Sequence, residues 1–354
     1  MAKVAIMQEI LEALADPIVV VNRRREVLAA NAAARVLYPR DLVGRNIALS
    51  IRHPDILEAL EAVLRTGSSR EAEVTLAGAV TTTYRVRVAA LGPTEGPNEA
   101  KALIALYDLT AVRQAEHMRA DFVANVSHEL RSPLTSLLGF IETLRGPARD
   151  DSAARERFLE VMDGEAKRMA RLIDELLSLS RVESEEHLPP RGRVDLANLL
   201  HEIARSLDMQ AAARGMKIEV DCAADLPRAR GERDELTLVF RNLIENALNY
   251  GRADTPVTIT ADKVDRVPGS GVPGIKIAVR DRGEGIAAEH IPRLTERFYR
   301  VDKGRSRAMG GSGLGLAIVK HIANRHRGRL TIESTPGEGS VFTVVLPSAP
   351  AEGQ

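Results

Sequence analysis

Asn125-Val126-Ser127-His128-Glu129-Leu130-Arg131-Ser132-Pro133-Leu134 lies inside a long stretch of helical periodicity, and the rest of the chain is read outward from it. Phe122, Val126, Leu130, Leu134, Leu137, Ile141 and Leu144 fall on one stripe at about 100° per residue. After a break at Gly146, Pro147 and Asp150 to Ser152, a second stripe follows: Phe158, Met162, Met169, Leu172, Leu176 and Leu179. The spacing predicts a helical hairpin from Ala111 to about Glu186. On the helical wheel His128 lies about 180° from the centre of the first stripe, so its imidazole faces water. Ser132 stands four residues on along the same face, and Glu129 flanks the ring. A carboxylate so placed orients or deprotonates one ring nitrogen while the other attacks. A lone exposed histidine more often has no task. Pro133 shifts the balance here, because a proline inside an apolar-periodic helix costs about 3 kcal/mol and loosens the helix just beyond the histidine.

Two helices of this length cannot bury both stripes by themselves, so pairing with a second copy into a four-helix bundle is expected, which makes the chain a homodimer. Before the hairpin, Glu9 to Thr110 reads as a mixed α/β segment. Strand-like runs occur at Ile18–Val21, Val27–Ala30, Glu73–Leu76, Tyr84–Ala90 and Ala102–Tyr107, with a helix over Ile56–Leu64. Tyr84, Val86 and Val88 alternate with Arg85 and Arg87, which is the period of a half-buried antiparallel strand. After the linker Pro189, Pro190 and Gly192, helices alternate with β-branched strands to about Pro347. The expected division is residues 9–110, 111–188 and 189–348.

The third segment carries its own chemistry. Asn242, Asn246 and Asn249 recur on one face of Phe240–Tyr250. Asparagine is a poor helix former, so three in register need a reason, and amide oxygens suit a hard cation such as Mg²⁺ held between protein, water and phosphate. Asp281-Arg282-Gly283-Glu284-Gly285-Ile286 follows the strand Ile275–Val279, where a carboxylate at the strand end can accept a hydrogen bond from an adenine amino group. Gly310-Gly311-Ser312-Gly313-Leu314-Gly315-Leu316 opens the helix Ala317–Asn324 and brings backbone N–H groups and a positive helix end to a phosphate. The cluster lacks the GK[ST] ending of a P-loop, and no strand leads directly into it, which argues against both a Walker A motif and a Rossmann fingerprint. Between the two glycine clusters, Arg297-Phe298-Tyr299-Arg300-Val301-Asp302-Lys303-Gly304 reads as a lid.

Composition narrows the field further. The chain has 354 residues, 49 Lys+Arg against 49 Asp+Glu, and no basic tract, which removes generic nucleic-acid binding. Its single cysteine, Cys222, can form neither an intrachain disulfide nor a metal cluster. No apolar stretch reaches the 18 residues a membrane span requires, and Met1 to Ala15 lacks the pattern of a secretory signal, so the chain as given reads as cytosolic, with any membrane anchor lying upstream of Met1. Tryptophan is absent and aromatics make up only 3%, so the cores are built from Leu, Val, Ile and Ala.

Taken in order, an exposed His on a hairpin, an Asn-bearing helix, Asp-x-Gly-x-Gly, a Phe-bearing lid and Gly-x-Gly-x-Gly resemble the H, N, G1, F and G2 boxes of the sensor histidine kinases of two-component systems. The resemblance covers about Ala111 to Pro347. It implies a multidomain α+β protein with a two-helix dimerisation hairpin and an α/β-sandwich GHKL (Bergerat-type) ATP-binding domain. It further implies His128 as phosphoacceptor, Glu129 as its acid/base partner, and Asn246 as Mg²⁺ ligand assisted by Asn242. Asp281 would hold adenine, and Gly283, Gly285, Gly311, Gly313 and Gly315 would shape the pocket, with Asn249, Tyr250, Ile286, Phe298, Arg300, Lys303, Ser312, Leu314 and Leu316 around the nucleotide.

The partner implied is an aspartate on the receiver domain of a response regulator. The segment 9–110 looks like a PAS sensor domain, with Asp108-Leu109-Thr110 similar to the acid-x-Thr connector that ends such domains; its small-molecule or protein signal is unspecified. The whole layout is similar to that of phosphate-regulon sensor kinases. Three departures stand out. Ser132 replaces the usual Thr or Asn associated with phosphatase activity, and keeps a hydroxyl. Asn249 replaces a common Lys, which leaves Lys303 or Arg305 to assist the phosphates. Ser312 stands for a usual Thr. Rival readings are an ATPase of the same fold, a serine kinase of the anti-sigma type, and a silent sensor or docking module. Asn242 stands where the ATPases carry a water-activating Glu, the anti-sigma class has no histidine-bearing hairpin, and the boxes are too intact for the third.

Overall fold

A computed structural model of the chain describes residues 9–38, 42–77, 81–92, 99–302, 304 and 311–349. It divides into two compact units, Met1–Asp121 and Phe122–Gln354.

The first unit is an antiparallel sheet with helices. Its strands are β1 (Ile18–Asn22), β2 (Val27–Ala30), β3 (Arg70–Leu76), β4 (Thr82–Ala90) and β5 (Ala100–Asp108), in the order β2-β1-β5-β4-β3. Alternation sets the faces: Tyr84, Val86 and Val88 are buried, whereas Arg85 and Arg87 are exposed. Helix α1 (Ala32–Leu37) is capped by Asn31, whose buried Oδ1 accepts from the N–H groups of Ala34 at 3.0 Å and Ile18 at 2.9 Å. Helix α2 (Pro54–Thr66) starts at a proline, which loses no helical hydrogen bond there, and buries Ile56, Leu60 and Val63 in the core. His53 stands just before it as a helix-entry residue. At the end of β5, Asp108 Oδ1 accepts from the Thr110 N–H at 2.7 Å, while the Thr83 N–H donates to Thr110 Oγ1 at 3.1 Å. These bonds fasten the start of α3 (Thr110–Arg145) to the sheet, and Arg113 adds a two-pronged pair to Glu73 of β3 at 2.9 and 2.6 Å.

In the second unit, α3 continues through Pro133 to Arg145, and α4 (Ser152–Glu185) returns beside it, capped by Asp151 on the Ala154 N–H at 2.9 Å. The rings of Phe140 and Phe158 stack across the hairpin at 5.3 Å. Two members of the first stripe remain at the surface, Leu134 at 48% and Ile141 at 38% exposure, because the apolar face is wider than one neighbouring helix covers.

The remainder is an α/β sandwich. Its sheet runs β11 (Arg329–Thr335), β12 (Gly339–Pro347), β10 (Gly274–Arg280), β9 (Pro256–Val264) and β7 (Lys217–Cys222), with β7 parallel to β9 and the other pairs antiparallel. A two-residue pair, β6 (Arg193–Val194) with β8 (Ala229–Arg230), lies beside the end of β12, where Ala229 bridges Ser348. Val257, Ile259, Ile275, Ile277, Val279 and Val344 point into a core shared with helices α5 (Leu196–Ala212), α6 (Arg233–Tyr250) and α7 (Gly315–Arg325). Leu172, Leu179 and Val182 of α4 belong to the same core, so the hairpin and the sandwich are one packed body.

Candidate functional site

His128 and Ser132 are exposed on α3, on the side of the helix that the wheel assigned to water. Glu129 behaves differently. Its side chain is only 17% exposed, and its Oε2 accepts from Arg168 of α4 at 3.2 Å and from Arg300 at 3.4 Å. In this arrangement the carboxylate beside the histidine is engaged by two guanidinium groups.

The second group of residues converges at the ends of α6 and α7. The C-terminal end of α6 is tied to the Asp281 loop by a backbone bridge between Gly251 and Gly283, extended by the Arg252 N–H donating to the Arg282 carbonyl at 3.2 Å. This explains the glycine at 283, where a Cβ would meet the Tyr250 carbonyl oxygen at 2.2 Å. Asp281 is 4% exposed; its Oδ1 accepts from the Gly283 N–H at 2.8 Å, and its own N–H donates to the Ser340 carbonyl at 3.0 Å. Burial raises the Asp281 pKa above the ordinary carboxylate value, against the pull of the Gly283 N–H. The loop is held further on, where the Ile286 N–H donates to Ser334 Oγ at 2.8 Å.

Along α6, Asn242, Asn246 and Asn249 are half-buried, one helical face apart from the core residues Leu243, Ala247 and Leu248, and Tyr250 is exposed. Asn242 donates its Nδ2 to the Leu238 carbonyl at 2.8 Å, and its Oδ1 lies 2.5 Å from where a Cβ on Gly315 would be. The Asn helix and the glycine-rich turn therefore touch, and only glycine at 315 permits it. Phe298 adopts φ 63 and donates its N–H to the Gly313 carbonyl at 2.9 Å. Gly313, at φ +80, has its missing Cβ 2.9 Å from Phe298 Cα, so lid and turn are also in contact. Ser312 Oγ accepts from the Leu314 N–H at 3.0 Å at the start of α7, where Leu314 is buried and Gly311 and Leu316 are half-buried. Four of the five sequence clusters thus meet around the α6 and α7 ends. Lys303, Arg305 and Gly310 lie outside the described residues.

Two acids of α4 at the site, Glu175 and Glu183, were not singled out from sequence. Glu175 of α4 accepts a hydrogen bond from the Ser312 hydroxyl; burial raises its pKa, and Arg171, Glu245 and Arg300 act on it electrostatically. Arg297 donates to Glu183 at 3.0 and 2.6 Å, and the Phe298 ring packs 5.8 Å from that of Phe122. One signal was available: Glu175 falls within the second apolar stripe, between Leu172 and Leu179, where an acid has to find a partner.

The exposed histidine and the glycine-rich contacts belong to one packed unit, and the family matches fall on the same segments. Residues 118–185 match the His Kinase A (phospho-acceptor) domain, 231–350 the family described as histidine kinase-, DNA gyrase B-, and HSP90-like ATPase, and 5–92 the PAS fold. The chain belongs to the sensor histidine kinases.

It is 42% identical over 243 residues to the phosphate regulon sensor protein PhoR of Pseudomonas aeruginosa, covering 68% of this chain and 53% of that one. It is 40% identical over 249 residues to the sensor-like histidine kinase SenX3 of Mycolicibacterium smegmatis, covering 70% and 62%. The chain therefore spans between about half and three fifths of the length of these relatives. Among solved structures, histidine kinase ThkA in complex with response regulator protein TrrA has a similar fold, with TM-score 0.51 and 18% identity over 97% of this chain and 99% of that one. Among the described residues, no helix is long and apolar enough to cross a membrane.

Proposed function

We propose that this chain is an ATP-dependent protein-histidine kinase that phosphorylates itself on His128 and passes the phosphoryl group to an aspartate of a response regulator receiver domain. The observation that carries the reading is that an exposed histidine, flanked by a carboxylate, belongs to the same unit as the contacts that join the Asn242 helix to the Asp281 loop and to the 311–316 turn. Buried Asp281, with a raised pKa and one oxygen on the Gly283 N–H, is suited to exchange a hydrogen bond with the amino group of adenine. The N–H groups at the start of α7 face the phosphate end.

Among the described residues no group of three His, Cys, Asp or Glu side chains could hold a metal. The oxygen donors near the phosphate end are the asparagine amides, which fit Mg²⁺ shared with phosphate and water: Asn246 as ligand, Asn242 beside it with its Nδ2 already committed to Leu238. Bound there, Mg²⁺ would neutralise charge on the transferred phosphate.

In the reaction a neutral ring nitrogen of His128 attacks the γ-phosphorus in line. The P–N bond forms, the bond to the β-phosphate oxygen breaks, and ADP leaves. Glu129 receives the proton from the other ring nitrogen, which requires that its carboxylate be turned from Arg168 and Arg300 toward the imidazole. Ser132, on the same exposed face, would orient water when the regulator is dephosphorylated. Functionally we divide the chain into a signal-sensing part (9–110), a dimerising and phosphoacceptor hairpin (111–188) and an ATP-binding part (189–348).

The test is incubation with γ-labelled ATP and Mg²⁺. Acid-labile, base-stable label is expected on the parent chain and none on His128→Ala. Label on both would assign the nucleophile elsewhere. Glu129→Gln is expected to slow labelling by about 10²-fold or more; an unchanged rate would remove its assigned role.

A further inference from the structure

Residues that the nucleotide reading needs are engaged, in this structure, by carboxylates of the hairpin. The Ser312 hydroxyl, in the turn that opens α7, donates to Glu175 of α4. Arg300, whose side chain is 6% exposed, points to Glu129 of α3 at 3.4 Å. The fit at Arg300 is loose: its Nε–H is buried and has no hydrogen-bond partner among the described residues. Two further contacts hold the same segment to the hairpin, Arg297 on Glu183 at 2.6 Å and the Arg297 guanidinium 5.4 Å from the centre of the Phe122 ring. A hydroxyl at the start of a helix and a guanidinium are donors that phosphate oxygens use, and a carboxylate is the side chain that most resembles a phosphate in charge and acceptor geometry.

We propose that Glu175 and Glu129 stand in for the phosphate chain of ATP at Ser312 and Arg300, so that hairpin docking and nucleotide binding compete for the same donors. This rests on the nucleotide reading above. The chain carries its own inhibitor, in the form of two acids on two helices. A triphosphate approaching the 311–316 turn meets a carboxylate already bonded there, and like charges at that separation repel. Displacing Glu175 frees Ser312, and displacing Glu129 from Arg300 removes one of the two guanidinium groups, the other being Arg168, that hold the carboxylate His128 needs as its proton acceptor. Nucleotide arrival and the loosening of that carboxylate are thus coupled. By reciprocity, whatever weakens docking tightens ATP, and ATP weakens docking by the same factor.

The experiment uses the full chain and its Glu175→Gln and Glu175→Ala variants. The affinities for a fluorescent, non-hydrolysable ATP analogue with Mg²⁺ and for adenosine are measured by titration. Glu175→Gln keeps the volume of the side chain, so it carries the test if the alanine variant is less well folded, which thermal unfolding reports. The expected result is tighter binding of the ATP analogue in both variants, by about 5-fold or more, with adenosine affinity unchanged, because adenosine has no phosphates to compete. Equal affinities for the ATP analogue in all three proteins would overturn the competition and leave the nucleotide site standing. An equal gain for adenosine would also overturn it, since the acid would then act on the pocket as a whole. Absence of binding by all three proteins to either compound would remove the nucleotide site itself and the inference with it.

Discussion

At position 283 one methyl group decides whether the end of α6 can pair with the Asp281 loop. The Cβ of an alanine there would lie 2.2 Å from the Tyr250 carbonyl oxygen and 2.8 Å from Asp281 Oδ1, so either the Gly251–Gly283 bridge opens or the Asp281 loop moves. Gly283→Ala is expected to lower stability by about 2 kcal/mol and to weaken adenine nucleotide binding more than tenfold, measured by denaturant unfolding and nucleotide titration. His326 offers a second single-residue test. It is fully buried; its Nε2 accepts from the Glu232 N–H at 3.1 Å ahead of α6, and its Nδ1 is 2.8 Å from the Ile322 carbonyl. That geometry requires the neutral ring, and burial lowers its pKa to about 4. Between its unfolded value of about 6.5 and about 4, the unfolded chain binds the extra proton and the folded chain does not. Its contribution is therefore complete above that window and is lost as pH falls through it, by about 3 kcal/mol in all. His326→Gln is expected to flatten the pH dependence of the unfolding free energy over this interval; an unchanged slope would assign the acid sensitivity to other groups.

At the scale of elements, the hairpin leaves an apolar face unused. Leu138 is 54% and Leu177 65% exposed, alongside Leu134 and Ile173, and a second copy of the hairpin would cover them. Replacing Leu138 and Leu177 together with Glu is expected to convert a dimer into monomers in light scattering. The effect on the unfolding of each chain should be about 0.5 kcal/mol or less, because both side chains lie on the surface of the single chain. A dimer that survived both changes would place the interface elsewhere. The stripes, the break at Gly146 to Ser152 and the strand alternation at Tyr84 to Val88 were legible because periodicity is local and repeats several times within one element. The clustering of the Asn helix with Asp281 and the 311–316 turn was legible for a different reason: each carries glycines or asparagines that are costly unless something approaches closely. The pairings Glu175 with Ser312 and Glu129 with Arg300 were not readable. They join residues more than 100 positions apart, and an acid on a helix has many arginines within reach of its sequence. The parallel pairing of β7 with β9 was hidden likewise, since α6 lies between them and alternation does not state a strand's direction.

For the whole molecule the decisive element is α3, whose 36 residues run without a break from Thr110, fastened to the first unit, past His128 in the second. At its start, Thr110 is held by Asp108 and Thr83, and Arg113 grips Glu73 with two hydrogen bonds, so the first turn cannot rotate independently of the sheet. A continuous helix transmits rotation, because each residue fixes the next at about 100°. If the first unit communicates through this helix, phase should matter more than length. Inserting seven residues between Met118 and Arg119 adds about two turns and leaves the faces displaced by about 20°, whereas inserting two turns them by about 200°. The seven-residue insertion is therefore expected to keep the autophosphorylation proposed at His128 near the parent rate, although it lengthens the connection by about 10 Å. The two-residue insertion should shift the rate several-fold despite the smaller change in length. Arg113→Ala, which removes the grip on Glu73 and costs little stability because the pair is exposed on both sides, should blunt that difference. Equal rates from the two insertions would mean that the first unit acts on the kinase through distance or tethering, and that the continuity of α3 carries no rotational signal.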